Sequence, residues 1–309
     1  MSSKVKKVAV LGTGVMGGQI AAHLTNAKIS VLAYDIDQET AEKGVKASQE
    51  IKPGAFYNKK TAELITPLNY TDHLNQLSDC DWVIEAISER LDWKKDLYRK
   101  ISEHLSDTCV VTSNTSGISL KDLSEDMKDD LKDRFFITHF FNPPRYMKLV
   151  EVVCPDNVNK DLLDLVVSIL ENDLGKGVVH AKDTPNFIAN RIGIYGMMSV
   201  LETSSKMKLS IEDVDFFTGS LIGRPKSGTF RTADIVGLDT MVYVAQTAYN
   251  NCIDDESRET FKIPPYISKM LDNKWLGQKT GQGFYKKIEK GVIHSINLDS
   301  LKYTPQNKK

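Results

Sequence analysis

The run Gly12-Thr13-Gly14-Val15-Met16-Gly17 restricts what this chain can fold into more than any other feature. It follows the apolar segment Val8-Ala9-Val10-Leu11 and opens a segment of helical length, Met16 to Ala27, so it reads as a tight strand-to-helix turn. Gly12 permits the turn, Gly14 lets a pyrophosphate approach the backbone, and Gly17 lets the helix pack close to the strand. The helix N-terminus then offers its unsatisfied N–H groups to the phosphates. A glycine-rich turn without a ligand is the plain alternative. The next strand, Ile29 to Tyr34, argues against it, because it ends at Asp35, about twenty residues beyond the glycines, where an acid meets the hydroxyls of an adenosine ribose. Asp35 repels a 2′-phosphate, and Ile36-Asp37 supplies no arginine to receive one, so the pattern predicts NAD rather than NADP.

Further short apolar runs, Trp82 to Ile87, Cys109 to Thr112, Phe135 to His139 and Leu149 to Cys154, alternate with helical segments at Glu39 to Ile51 and Trp93 to Leu105. This is the rhythm of a parallel sheet covered by helices. After Asp183 the texture changes. Asp183-Thr184-Pro185 reads as a helix start, with Phe187, Ile188, Ile192, Tyr195, Met198 and Leu201 at helical spacing behind it. Ser210 can cap a second helix, Thr232 to Asn250 forms a third periodic stretch, and Pro264-Pro265 opens a fourth. Gly283-Phe284-Tyr285 and Val292-Ile293 flank an expected hairpin turn, and Tyr303 to Lys309 is expected to fray. The expected fold is α/β, a Rossmann-type doubly wound, mostly parallel sheet over residues 1–183, followed by a smaller all-α domain over residues 184–309 with a C-terminal hairpin.

With 309 residues, two modest domains fit the length. Forty basic and forty-one acidic residues leave a net charge of −1, which disfavours nucleic acid or an anionic membrane as partner. Cys80, Cys109, Cys154 and Cys252 stand far apart without metal-ligand spacing, so neither a metal site nor a disulfide framework is expected. No segment approaches the length of an apolar membrane span, and the chain reads as cytoplasmic.

Among six histidines, His139 differs in its address. It ends the strand Phe135 to Thr138, and ligands of open α/β sheets gather beyond the carboxyl ends of strands. The turn Asn142-Pro143-Pro144 then redirects the chain into Met147 to Val153, where Glu151 stands among apolar residues. A carboxylate in such a run is costly unless paired, and His139 is available on the neighbouring strand. Glu151 would fix the imidazole tautomer and stabilise an imidazolium; an outward-facing strand residue is the bland reading. Ser113-Asn114-Thr115-Ser116 also lies at a strand's carboxyl end, where it serves a ligand or caps the next helix. Asn190, one helical turn beyond Asn186, suggests a buried amide.

Taken in order, GTGVMG at 12 to 17, EAISE at 85 to 89, SNTS at 113 to 116, HFFNP at 139 to 143, MKLVEVV at 147 to 153, DTPNFIANR at 183 to 191 and KTGQGFY at 279 to 285 resemble the L-3-hydroxyacyl-CoA dehydrogenase family from Val8 to about Tyr285. The resemblance implies NAD-dependent oxidation of (3S)-3-hydroxyacyl-CoA to 3-ketoacyl-CoA. It makes His139 the catalytic base and Glu151 its orienting partner, and it gives Ser116 and Asn190 to the substrate. The family's NAD contacts carry over to Asp35, Glu89, Lys94, Asn142 and Lys279. It further implies an acyl-CoA substrate lying between the two domains and a homodimer through the helical one. Residues 223–239, GRPKSGTFRTADIVGLD, depart from the usual short-chain pattern and resemble the dehydrogenase part of longer multifunctional β-oxidation proteins, so association with a hydratase module is an expectation. Another two-domain NAD-dependent hydroxy-acid or sugar-acid dehydrogenase, or a non-catalytic NAD-binding module, would share many of these residues.

Overall fold

The structure, a computed structural model, describes residues 5–306. It divides into two compact units, Met1–Phe187 and Ile188–Lys309, a few residues beyond the boundary expected from sequence.

In the first unit the order is β1 (Lys7–Leu11), α1 (Val15–Asn26), β2 (Ser30–Asp35), α2 (Gln38–Glu50), β3 (Ile65–Asn69), β4 (Trp82–Glu85), α3 (Leu91–Ser102), β5 (Val110–Ser113), α4 (Leu120–Ser124), α5 (Asp129–Lys132), β6 (Phe135–Phe140), β7 (Leu149–Val153), α6 (Lys160–Ser168) and β8 (Gly177–His180). The strands form one sheet in the order β3-β2-β1-β4-β5-β6-β7-β8. Every neighbouring pair is parallel except β6 and β7. Alternate side chains feed two cores. Val8, Val10, Trp82 and Ile84 pack with Ile20 and Leu24 of α1, whereas Ala9, Leu11 and Val83 pack with Leu97 and Ile101 of α3. The order reverses direction between β1 and β4, the place where open sheets of this kind hold ligands.

Two strands of this sheet escaped the sequence reading. β3 contains Pro67 and lies at one edge of the sheet, where a missing N–H is tolerated but the strand pattern is masked. β8 forms the other edge and is largely exposed, so it carries no apolar alternation.

His23 is buried in α1, with Nε2 3.2 Å from the Leu174 carbonyl. Burial first, then the charge of Lys176, depresses its pKa from 6.5 to about 4. The unfolded chain takes up a proton on this ring as pH falls through 6.5, and the folded chain resists until about 4. Stability tied to His23 is therefore whole above 6.5 and drains away over that interval. Urea titrations at pH 7, 5.5 and 4.5 should show a loss of about 3 kcal/mol assignable to this group, largely absent in His23→Gln; an identical acid profile in the variant would refute the assignment.

The second unit contains α7 (Ala189–Met207), α8 (Ile211–Thr218), α9 (Phe230–Val236), α10 (Leu238–Asn251) and α11 (Pro265–Asp272), then the strands β9 (Tyr285–Glu289), β10 (Val292–Ile296) and β11 (Tyr303–Pro305). Leu201, Phe230, Leu238, Ala245, Ile267 and Phe284 are at its core. Ser210 caps α8 by accepting from the Asp213 N–H, as its position predicts. The stretch expected as one helix from Thr232 is broken at Gly237, whose φ of +97° suits glycine and starts a new helix. The helix expected to start at Pro185 begins instead at Ala189, because Asn186 and Phe187 take left-handed backbone angles. Asp183 does cap a helix, but a distant one: its carboxylate accepts from the N–H groups of Leu120 and Lys121 at 2.9 and 3.1 Å. Tyr303, expected to fray, pairs as β11 against β10 in an antiparallel sheet with β9; 307–309 of that segment lie outside the described residues. No helix among the described residues is long and apolar enough to cross a membrane.

Candidate active site

The glycine loop joins β1 to α1 at the reversal of strand order. Gly12 has a φ of +94°, and its N–H donates to the Tyr34 carbonyl at 2.8 Å. A Cβ at Gly17 would collide with the Gly12 carbonyl, whereas at Gly14 nothing lies within 4 Å. One glycine thus makes the turn, one allows the helix to close on it, and one leaves open the face a pyrophosphate requires. Asp35, at the end of β2, accepts from the Thr13 N–H and hydroxyl on Oδ2 at 2.8 and 2.7 Å, and from the Ile36 N–H on Oδ1 at 2.8 Å. The acid therefore steadies the loop while standing beside it. This donor set and open face fit a dinucleotide.

His139 and Glu151 stand directly opposite each other where β6 and β7 pair antiparallel. Asn142-Pro143-Pro144 lies in the connection that brings the strands together, as the turn chemistry predicts. Nδ1 of His139 is 2.8 Å from Glu151 Oε2, with His139 5% exposed and Glu151 wholly buried. A carboxylate can only accept, so Nδ1 carries the proton and a neutral ring presents Nε2 as its basic nitrogen. Phe141 and Phe187 pack against the imidazole with ring centroids 4.4 and 5.7 Å away. The pair can take up one proton on Nε2, with the resulting imidazolium offset by the buried carboxylate.

A second polar cluster joins the ends of β4 and β5. Glu85, fully buried, accepts from the Ile87 N–H at 2.7 Å and from Lys94 Nζ, the Tyr98 hydroxyl and the Ser113 hydroxyl, each at 2.6 Å. Lys94 is only 1% exposed and also lies 3.5 Å from Glu89 Oε2. Glu89 in turn accepts from the Thr115 hydroxyl at 2.6 Å and from the N–H groups of Ser116 and Gly117 at 2.9 Å each. Lys94 draws down the Glu89 carboxylate pKa, as do these hydrogen bonds, against the opposing effect of burial. The SNTS segment is thereby fixed from below and does not cap α4; Ser119 and Asp183 do that. Sequence reasoning missed Glu85. An acid ending an otherwise apolar strand, with a lysine nine residues later, was the available signal.

Asn142 Oδ1 accepts from Gln19 Nε2 of α1 at 2.9 Å, which places it beside the first turns of the nucleotide helix. The remaining two candidates belong to the second unit. Asn190 is half-buried in the first turn of α7, and Asn186, expected to share a helix face with it, lies in the preceding turn. Lys279 pairs with both carboxylate oxygens of Asp239 at 2.6 Å.

A doubly wound sheet with this glycine loop and an acid after β2 defines an NAD-binding dehydrogenase architecture, here carrying a buried His–Glu pair at its carboxyl edge. Residues 7–184 match the NAD binding domain of 3-hydroxyacyl-CoA dehydrogenase, and residues 187–287 match the C-terminal domain of the same enzyme. The chain belongs to the 3-hydroxyacyl-CoA dehydrogenase family, and NAD is the cofactor of its first domain. A Bacillus subtilis protein named "Probable 3-hydroxyacyl-CoA dehydrogenase" is 44% identical over all of this chain and 41% of its own length. A Deinococcus radiodurans protein of the same name is 42% identical over 93% of this chain and 84% of its own. The crystal structure of (S)-3-hydroxybutyryl-CoA dehydrogenase PaaH1 from Ralstonia eutropha superposes with a TM-score of 0.76 at 27% identity, covering 91% of this chain and 98% of that one. The chain spans about two fifths of the B. subtilis relative's length.

Proposed function

We propose that the protein interconverts (3S)-3-hydroxyacyl-CoA and 3-ketoacyl-CoA, with His139 as general base and Glu151 as the residue that orients it. The observation that carries this reading is the 2.8 Å contact between two buried side chains at the carboxyl end of β6. When bound, NAD accepts the hydride from C3. Nε2 of His139 takes the hydroxyl proton, and Glu151 holds the imidazolium until the proton is returned in the reverse direction. Ser116, held by Glu89 through its N–H, leaves its hydroxyl for the substrate oxygen. Asn190 serves the substrate's thioester end on the strength of the family resemblance.

Among the cofactor residues, Gly14 leaves its face open for the pyrophosphate, Gly12 and Gly17 shape the turn that carries it, Asp35 stands beside that turn, and Asn142 is bonded to Gln19 of α1. Glu89, bonded to the segment after β5, and Lys94 beside it join the set by resemblance, as does Lys279. NADH oxidation with acetoacetyl-CoA, longer 3-ketoacyl-CoAs and the matching free acids tests the reading. Turnover of free acids alone, or tight NADH binding without turnover, would overturn it.

Two consequences follow for the cofactor and the assembly. NADH should be clearly preferred over NADPH, and Asp35→Ala should weaken that preference by removing repulsion of the 2′-phosphate; equal wild-type rates with both cofactors would contradict the assignment. In the second unit, Ile192 and Met207 of α7 and Phe216, Phe217, Leu221 and Ile222 in and after α8 are exposed. Such apolar surface needs a partner, and we read it as the contact of a homodimer. Light scattering should give twice the monomer mass, and a stable, fully active monomer at dilution would refute it.

A further inference from the structure

The connection between β6 and β7 carries Asn142 and separates His139 from Glu151, and it is gripped by a buried residue that no step above uses. Lys176 is 6% exposed and directly precedes β8. Its ammonium donates to the carbonyls of Pro144 and Met147, the latter at 2.9 Å. Its own N–H is bonded to Leu170 O, and the next N–H, of Gly177, to Lys148 O, each at 2.8 Å. The lysine is thus anchored to the end of the same connection that its side chain holds in the middle. Two further ties act on this loop: Arg145 donates to the carbonyls of Gly54 and Phe56 at 2.7 and 2.8 Å, and Gln19 donates to Asn142.

Burying an ammonium is costly, and carbonyls offset that cost only in part. A neutral side chain would close the same space more cheaply. A cation here supplies charge-assisted donors, roughly twice as strong as neutral ones, to a backbone segment with no strand or helix of its own.

We propose that Lys176 is a positioning residue for the reaction, its ammonium holding the loop backbone so that Asn142 and the His139–Glu151 pair keep their places. This rests on the reading of Asn142 as a cofactor contact and of His139 as the base. Among the described residues, Lys176 and Arg145 of the loop both act on His23 of α1 through their charge, and the loop also carries Lys148 and Tyr146. Burial alone lowers the Lys176 pKa to about 8. His23, at about 4, is neutral there. Of these two, Lys176 is the one that changes charge between pH 7 and 9. Losing its proton weakens both hydrogen bonds to the loop, so the grip slackens as pH rises through 8.

NADH affinity, read by fluorescence titration from pH 6.5 to 9.5, tests this on wild type, Lys176→Met and Lys176→Arg, with kcat, KM and Tm measured alongside. Wild-type affinity should weaken roughly three- to tenfold across pH 8, a fraction of what a charge-assisted hydrogen bond contributes. Lys176→Met should be weak by a similar factor already at pH 7 and flat thereafter, with lower kcat. A wild-type affinity that is flat from pH 7 to 9 overturns the proposal. So does a Met variant with wild-type affinity and kcat in which only Tm changes. If Lys176→Met does not fold, the wild-type profile and Lys176→Arg decide: an Arg variant that keeps the pH 8 transition also overturns it. A wild type that binds NADH but turns over no 3-ketoacyl-CoA would instead refute the proposed reaction and leave the affinity arm to judge Lys176.

Discussion

Glu151→Gln is expected to lower kcat by roughly 10²- to 10⁴-fold with shape and NADH affinity nearly unchanged, the range for lost general acid–base assistance. The amide fits the space but carries no charge to offset an imidazolium, and rotated it would present a donor to Nδ1 and impose the wrong tautomer. His139→Gln should cost at least as much. Because the two side chains meet at 2.8 Å across paired strands, they act as one unit, and the double variant should be little worse than His139→Gln alone. NADH affinity should hold in all three, since the glycine loop and Asp35 stand on β1 and β2, away from this strand pair. Steady-state kinetics and cofactor titration on the set decide the matter. A Glu151→Gln enzyme of near-normal kcat would remove the proposed partner, and fully multiplying effects would show that the residues work independently.

Glu85→Ala should destabilise the fold by about 3–5 kcal/mol, the cost of leaving a buried charge without its counterpart. The Lys94 ammonium would keep its distant neighbour Glu89 at 3.5 Å but lose Glu85 at 2.6 Å, and the hydroxyls of Tyr98 and Ser113 would lose their acceptor. Removing both charges in Glu85→Leu with Lys94→Met should cost clearly less than the sum of the single changes, because the stranded charge is gone. Urea denaturation measures all of these. A loss below about 1 kcal/mol in Glu85→Ala, the scale of an exposed ion pair, would mean that water reaches the cluster. In whichever variants fold, both the Kd for NADH and the KM for 3-ketoacyl-CoA should rise, since the cluster holds Glu89 of the cofactor set and, through it, the Ser116 backbone.

Much of the nucleotide half was legible because its signals are local. Strand, glycine turn and helix are contiguous, and Asp35 follows at a spacing set by one βαβ unit, so the loop and its acid could be read from residues 8 to 35. The His139–Glu151 pair was legible for a related reason: a carboxylate among Leu149, Val150, Val152 and Val153 demands a partner, and a turn of known chemistry offers one a strand away. The family resemblance added Glu89, Lys94, Asn142 and Lys279, which residue pattern alone would have left as solvated or structural, and gave a substrate role to Asn190, which the pattern had marked only as a buried amide.

The rest was decided by interactions between residues far apart in the chain. Asp183 looks like the cap of the helix after it, yet its carboxylate serves Leu120 and Lys121, because the backbone turns left-handed at Asn186 and Phe187 before α7 begins. β3 and β8 are strands only because the sheet has edges that accept a proline or an exposed segment. Lys94 and Lys176 look in sequence like any surface lysine and are buried in the fold, one against Glu85 and the other under the loop between β6 and β7. Apolar periodicity reports which face of an element turns inward, since burial is nondirectional and repeats along the chain. It does not report which polar group will meet which, because a hydrogen bond needs two particular atoms within about 3 Å, and only the order and register of the strands bring them there.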